Sequence, residues 1–86
     1  MKLNLRFLID PGHGWISVPR KYLYYLGIEN DISPYSYQKG NRVYLEEDKD
    51  AMIFINAAKS AGWEISLKDS FNKTWSWVRN LERYTN

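Results

Sequence analysis

The sequence contains no cysteine, which excludes a disulfide framework and any thiolate metal site. A small chain without disulfides suits a reducing compartment, and a cytoplasmic location is expected. There is one histidine, His13, so any metal site would have to be completed by carboxylates alone. No apolar stretch reaches the ~18 residues of a membrane-crossing helix. The opening residues MKLNLRFLID are too short and too polar for a secretory signal, so no membrane partner is expected. Charge of one sign is also lacking: 12 Lys and Arg face 10 Asp and Glu, for a net +2. That balance neither demands a nucleic-acid partner nor suggests an acidic mimic of DNA. Internal repeats, low-complexity tracts and domain linkers are absent.

What is abundant is aromatic surface: four Trp, seven Tyr and three Phe within a 44% hydrophobic composition. Such a chain is not disordered, and 86 residues suffice for one modest core, hence a single domain spanning 1–86. The stretch Arg42–Leu67 organises the rest. Val43 and Leu45 alternate with polar neighbours as in a half-buried strand. Glu46, Glu47, Asp48 and Asp50 then suit a helix start, with Asp48 or Asp50 as the N-cap and the others as a solvated charge run. Ala51, Phe54, Ile55, Ala58 and Ala61 follow at helical spacing, Gly62 stops the helix, and Trp63, Ile65 and Leu67 alternate as a further strand.

Upstream, Leu3, Leu5, Phe7 and Ile9 predict a first strand, broken by Asp10-Pro11-Gly12-His13-Gly14. Trp15, Ile16 and Val18 form a short extended piece. A short helix over Pro19–Leu26 is expected, capped by Ser17 or Val18 and ended by Gly27, with Tyr22, Leu23 and Leu26 inward. Tyr35–Gln38 and Arg42–Glu46 flank a Lys39-Gly40-Asn41 turn, a hairpin signal. The order β-α-β-β-α-β predicts an α+β fold, an antiparallel sheet with both helices on one face, for which the ferredoxin-like arrangement is one solution. Residues 70–86 form an aromatic and basic C-terminal segment that reads equally as a helix (Trp75, Val78, Leu81) or a strand (Trp75, Trp77).

Three features carry candidate chemistry. Leu8–Gly14 resembles the strand-then-DPGHG element of zinc-dependent N-acetylmuramoyl-alanine amidases. That resemblance implies a metal-dependent hydrolase with His13 as a ligand. Those enzymes also use a second histidine and a glutamate, and this chain has no second histidine. The alternatives are a tight Pro-Gly turn with a partly exposed His13, or His13 and Trp15 as part of a binding surface. The mixture of Lys73, Trp75, Trp77, Arg79 and Arg83 in the C-terminal segment suits base stacking and phosphate neutralisation; core or dimer packing explains the same residues. Tyr24, Tyr25, Tyr35 and Tyr37 are candidates for a partner-binding patch, since tyrosine offers rigid area with a polar tip.

The segments His13–Pro19, Leu26–Ile28, Ile32–Tyr37 and Tyr44–Asp48 with Asp50-Ala51 resemble a family of small phage- and plasmid-borne proteins with the pattern HGW-x-x-VP, LGI, ISxYSY and YLEED-x-DA. The resemblance implies a mobile-element origin and brings no activity to particular residues. The function expected is therefore a non-catalytic accessory protein that docks on a host protein or nucleoprotein complex, of the anti-CRISPR or anti-restriction kind. The alternative is a nucleic-acid-binding module. No cofactor, metal or catalytic residue is expected, and a homodimer is compatible. The candidate binding residues are His13, Trp15, Tyr24, Tyr25, Tyr35, Tyr37, Trp75, Trp77, Arg79 and Arg83.

Overall fold

A computed structural model describes residues 1–86. Six strands and two helices follow one another as β1 (Lys2–Ile9), β2 (Gly14–Pro19), α1 (Lys21–Tyr25), β3 (Tyr37–Lys39), β4 (Arg42–Glu46), α2 (Asp50–Ser60), β5 (Glu64–Phe71), a 3-10 turn (Trp77–Asn80) and β6 (Glu82–Arg83). All six strands join one sheet in the order β5-β1-β2-β4-β3-β6. This is the single α+β domain that the sequence predicts.

The short extended piece at Trp15–Val18 is a full central strand. It pairs antiparallel with β1 on one side and β4 on the other. Its insertion reverses the direction of everything beyond it. β4 consequently runs the same way as β1, and the crossover through α2 returns β5 along β4's direction. β5 therefore lies parallel to β1, from Lys2↔Glu64 to Ile9↔Phe71, and the other four pairings are antiparallel. Each helix joins two strands of like direction with other strands between them, the split βαβ connection.

Both helices lie on one face. Leu3, Leu5, Ile16, Val18, Val43 and Leu45 from the sheet meet Leu23, Ala51 and Phe54 from the helices. Phe54 is fully buried, and burying a side chain of that size contributes about 1.5–3 kcal/mol. Ala61, expected inward, is exposed, and it stands just past the end of α2, while Ala58 one turn earlier is fully buried. Both helices end alike: Ile28 N–H donates to the Leu23 carbonyl and Trp63 N–H to the Ala58 carbonyl, around Gly27 and Gly62 at φ 69° and 79°.

α1 begins at Lys21 rather than Pro19, and no side chain caps it. Pro19 still belongs to β2, opposite Arg42, and Arg20 N–H donates to the Asn41 carbonyl, so strand pairing outlasts the helix signal. The start of α2 also differs from expectation. Neither Asp48 nor Asp50 caps it. The buried Glu46 carboxylate accepts the N–H groups of Asp48, Lys49 and Asp50 at 2.8, 2.7 and 3.1 Å. Asp50 is fully buried and takes hydrogen bonds from Ser33 N–H, Ser33 Oγ and Ser36 Oγ, pinning the loop before β3.

The C-terminal segment leaves β5 at one edge of the sheet and reaches β3 near the other. Its 3-10 turn packs Val78 against Leu8, Trp15, Tyr37 and Tyr44 on the face opposite the helices. Tyr84 then turns back to the helix face, where its hydroxyl donates to the Glu29 carbonyl at 2.6 Å. Of the two readings open for residues 70–86, the helical one holds in part, as the 3-10 turn at Trp77–Asn80; Trp75 and Trp77 do not form a strand, and the short strand that does form lies further on, at Glu82–Arg83.

Candidate functional site

The DPGHG segment is an Asx turn. One Asp10 oxygen accepts Gly12 N–H and His13 N–H, each at 2.9 Å, and Asp10 N–H donates to the His13 carbonyl. The same carboxylate accepts Ser76 N–H at 3.0 Å, Arg79 Nε at 2.6 Å and Arg79 Nη2 at 2.9 Å. Arg79 and the surrounding N–H groups hold the Asp10 carboxyl well below the usual carboxylate range, against the opposing effect of burial, and Asp10 raises Arg79 in return. The guanidinium also lies over Trp75 at 4.2 Å and Trp15 at 5.2 Å from the ring centres. The turn thus fastens the C-terminal segment across the sheet. Both of its glycines are tight: a Cβ on Gly12 would meet Arg79 Nη2 at 2.9 Å, and one on Gly14 would meet the Phe7 ring at 2.6 Å.

His13 emerges from this turn half-exposed, with Nδ1 3.8 Å from a Glu47 oxygen and its ring 6.1 Å from Trp15. No group of three or more His, Asp or Glu side chains is arranged to hold a metal ion. The Leu8–Gly14 resemblance to zinc amidases therefore rests on a turn that this chain uses to bind Arg79.

Beside the turn is a concavity of about 470 Å³. Trp15 and Tyr37 are buried in its floor, meeting edge-on at 6.2 Å. Arg83 lies over Tyr37 at 5.1 Å and donates to the Pro34 carbonyl. Tyr35, 70% exposed, stands at the rim with His13 and Asp48. The lining therefore unites His13, Trp15, Tyr35, Tyr37, Arg79 and Arg83 from the sequence-derived set. Trp75 is adjacent through its contact with Arg79.

Three residues of that set lie elsewhere. Trp77 stacks edge-on against Tyr44 at 5.4 Å and lines a separate groove with Asn4, Arg6, Ser17 and Arg42. Tyr24 and Tyr25 are exposed on α1, where Tyr25 meets Tyr22 and Tyr24 reaches Asn86. Three contributors were missed by sequence reasoning. Asp10, which fastens the segment carrying Arg79, had no signal beyond its turn motif. Arg6 and Arg42 in the second groove stand at outward positions of alternating strands, which is the pattern that could have found them.

Comparison of the chain with protein-family models, with curated proteins and with solved structures gave no match.

Proposed function

We propose that this chain is a non-catalytic binding protein that docks on a host macromolecule through the concavity between the DPGHG turn and β6. The observation that carries this reading is the convergence of Trp15, Tyr35, Tyr37, Arg79, Arg83 and His13 on one concavity. Tryptophan, tyrosine and arginine dominate the energetics of protein interfaces, because they combine large rigid area with a polar or charged end. Charges of both signs border the aromatic floor, Asp48 and Glu47 against Arg83 and Lys49, which suits a protein partner with its own mixed rim. Together with the mobile-element resemblance of the sequence, this favours an accessory protein acting in the host cytoplasm on a protein or nucleoprotein complex of host defence.

A photo-crosslinking amino acid at position 35 tests this in host cells, with position 52 on the exposed side of α2 as the control. The expected result is an adduct from position 35 that unlabelled wild-type protein competes away, and none from position 52. Equal labelling from both positions would sink the reading.

A further inference from the structure

We infer that the half of the sheet left uncovered by the 3-10 turn is a second binding surface, whose occupant is a single-stranded nucleic acid. It involves other residues than the concavity and goes beyond the docking role proposed above. The strand register lays cations across neighbouring strands on one face. Lys68 of β5 pairs with Arg6 of β1, Arg6 with Ser17 of β2, and Arg42 of β4 with Lys39 of β3. From β5 to β3 is four strand spacings, roughly 19 Å.

These cations are exposed and uncompensated. The chain's ion pairs are Lys2–Glu64 and Arg79–Asp10, and neither involves Arg6, Lys39, Arg42 or Lys68. Arg6 Nη2 donates to Ser70 Oγ at 3.0 Å and Arg42 Nη1 to Ser17 Oγ at 3.1 Å. Neutral hydroxyls thereby hold both guanidinium groups along the sheet and leave their charge unanswered. On this face of the strands Glu64 is paired with Lys2, and Glu46 is held by the N–H groups of α2. The net +2 of the chain therefore conceals a one-signed surface.

Trp77 completes the pattern. It is half-exposed, and its edge-on contact with Tyr44, at 85° between planes, leaves indole surface open beside Arg6 and Arg42 in a groove of about 400 Å³. Cations that follow a phosphate backbone beside an aromatic platform for a base are the recurring means of holding single strands. An acidic peptide would use the cations but not the platform. A duplex keeps its base faces stacked inside and would leave the open indole of Trp77 without a base to stack on.

Fluorescence anisotropy with short labelled oligo-dT and oligo-U at stepped salt concentrations tests the inference, and the two arms separate DNA from RNA. With about three phosphate contacts, log affinity should fall against log salt with a slope near −2. The double variant Arg42→Gln/Lys68→Gln should flatten that slope by about 1.4, and Trp77→Leu should weaken binding roughly 5- to 100-fold. Arg83→Gln, in the other concavity, should leave oligonucleotide affinity unchanged. Thermal melts establish that each variant is folded. Lack of an anisotropy change at low salt would overturn the inference. So would wild-type affinity in the folded double variant, tighter binding of a duplex, or equal displacement by oligo-glutamate. A failed crosslink from position 35 would leave these measurements untouched, so the two surfaces stand or fall separately.

Discussion

Arg79 donates Nε and Nη2 to the two oxygens of Asp10, at 2.6 and 2.9 Å, from 69 residues further along the chain. The Asp10 side chain is wholly buried and that of Arg79 is 28% exposed. Breaking such a pair strands a charge in the interior, which costs about 3 kcal/mol. Arg79→Met should therefore lower Tm by roughly 10–20 °C in a domain of this size. Arg79→Lys should not restore it, because an ammonium cannot present two parallel donors. A thermal melt of Arg79→Met that superimposes on wild type would show that the C-terminal segment is held by something else.

The same carboxylate sets a pH dependence. Its pKa in the folded chain lies below the unfolded value, so between the two values the unfolded chain binds the extra proton. The stability it contributes is complete above the ordinary carboxylate value of about 4 and is lost as pH falls from there toward the folded value. Urea unfolding at successive acid pH values should show this loss for wild type. Asp10→Asn should start less stable and lack the corresponding part of the acid slope. A parallel slope in the variant would assign the acid sensitivity to other groups.

At the alkaline end the group is Tyr84, whose pKa is raised chiefly by burial. Here the folded chain keeps its proton longer than the unfolded chain. The contribution is intact below the ordinary tyrosine value of about 10 and is lost as pH rises through the folded value. Tyr84→Phe should lose about 1 kcal/mol at neutral pH with the hydrogen bond to Glu29. It should also be less sensitive to alkali than wild type, which is readable as convergence of the two melting curves above about pH 10. Curves that stay parallel to the alkaline limit would contradict the assignment.

How much of this was legible beforehand depends on the range of the interaction. Alternation in Leu3–Phe7 and Val43–Leu45, the spacing of Ala51, Phe54 and Ala58, and the glycine stops are local patterns, and each holds in the structure. β2 was half-visible, because Trp15–Val18 is buried on both faces and so shows no alternation. The parallel pairing of β5 follows only once β2 is counted. The candidate site was legible as residue types and not as a place: His13, Tyr35, Tyr37 and Arg83 meet through pairings between segments far apart in sequence. The acidic run Glu46–Asp50 looked solvated because charge alone does not reveal which carboxylates turn inward.

Glu46 is the sharpest case of such an inward turn. It accepts three backbone N–H groups at the start of α2 while buried in the sheet. Glu46→Ala leaves those donors without a partner and should cost about 2 kcal/mol. Glu46→Gln keeps an acceptor oxygen and should recover part of the loss. Hydrogen exchange at Lys49 and Asp50 separates this from a general loss of stability: their amides should lose protection before those of β4. Unchanged protection in Glu46→Ala would mean that the carboxylate does not cap the helix.

The DPGHG turn offers a decisive contrast between its last two residues. Gly14 has no room for a methyl group, since its Cβ would stand 2.6 Å from the Phe7 ring. Gly14→Ala should destabilise by about 1–3 kcal/mol through overpacking. His13 is half-exposed beside a single carboxylate, that of Glu47, and His13→Gln should stay within about 0.5 kcal/mol of wild type. A metal bound to the folded chain alone would raise Tm by mass action. Added zinc should leave the wild-type melt unmoved, because one imidazole and one carboxylate are too few ligands for a tight zinc site. A zinc-dependent rise in wild type that His13→Gln abolishes would restore the hydrolase reading of this turn and displace the structural role assigned to it.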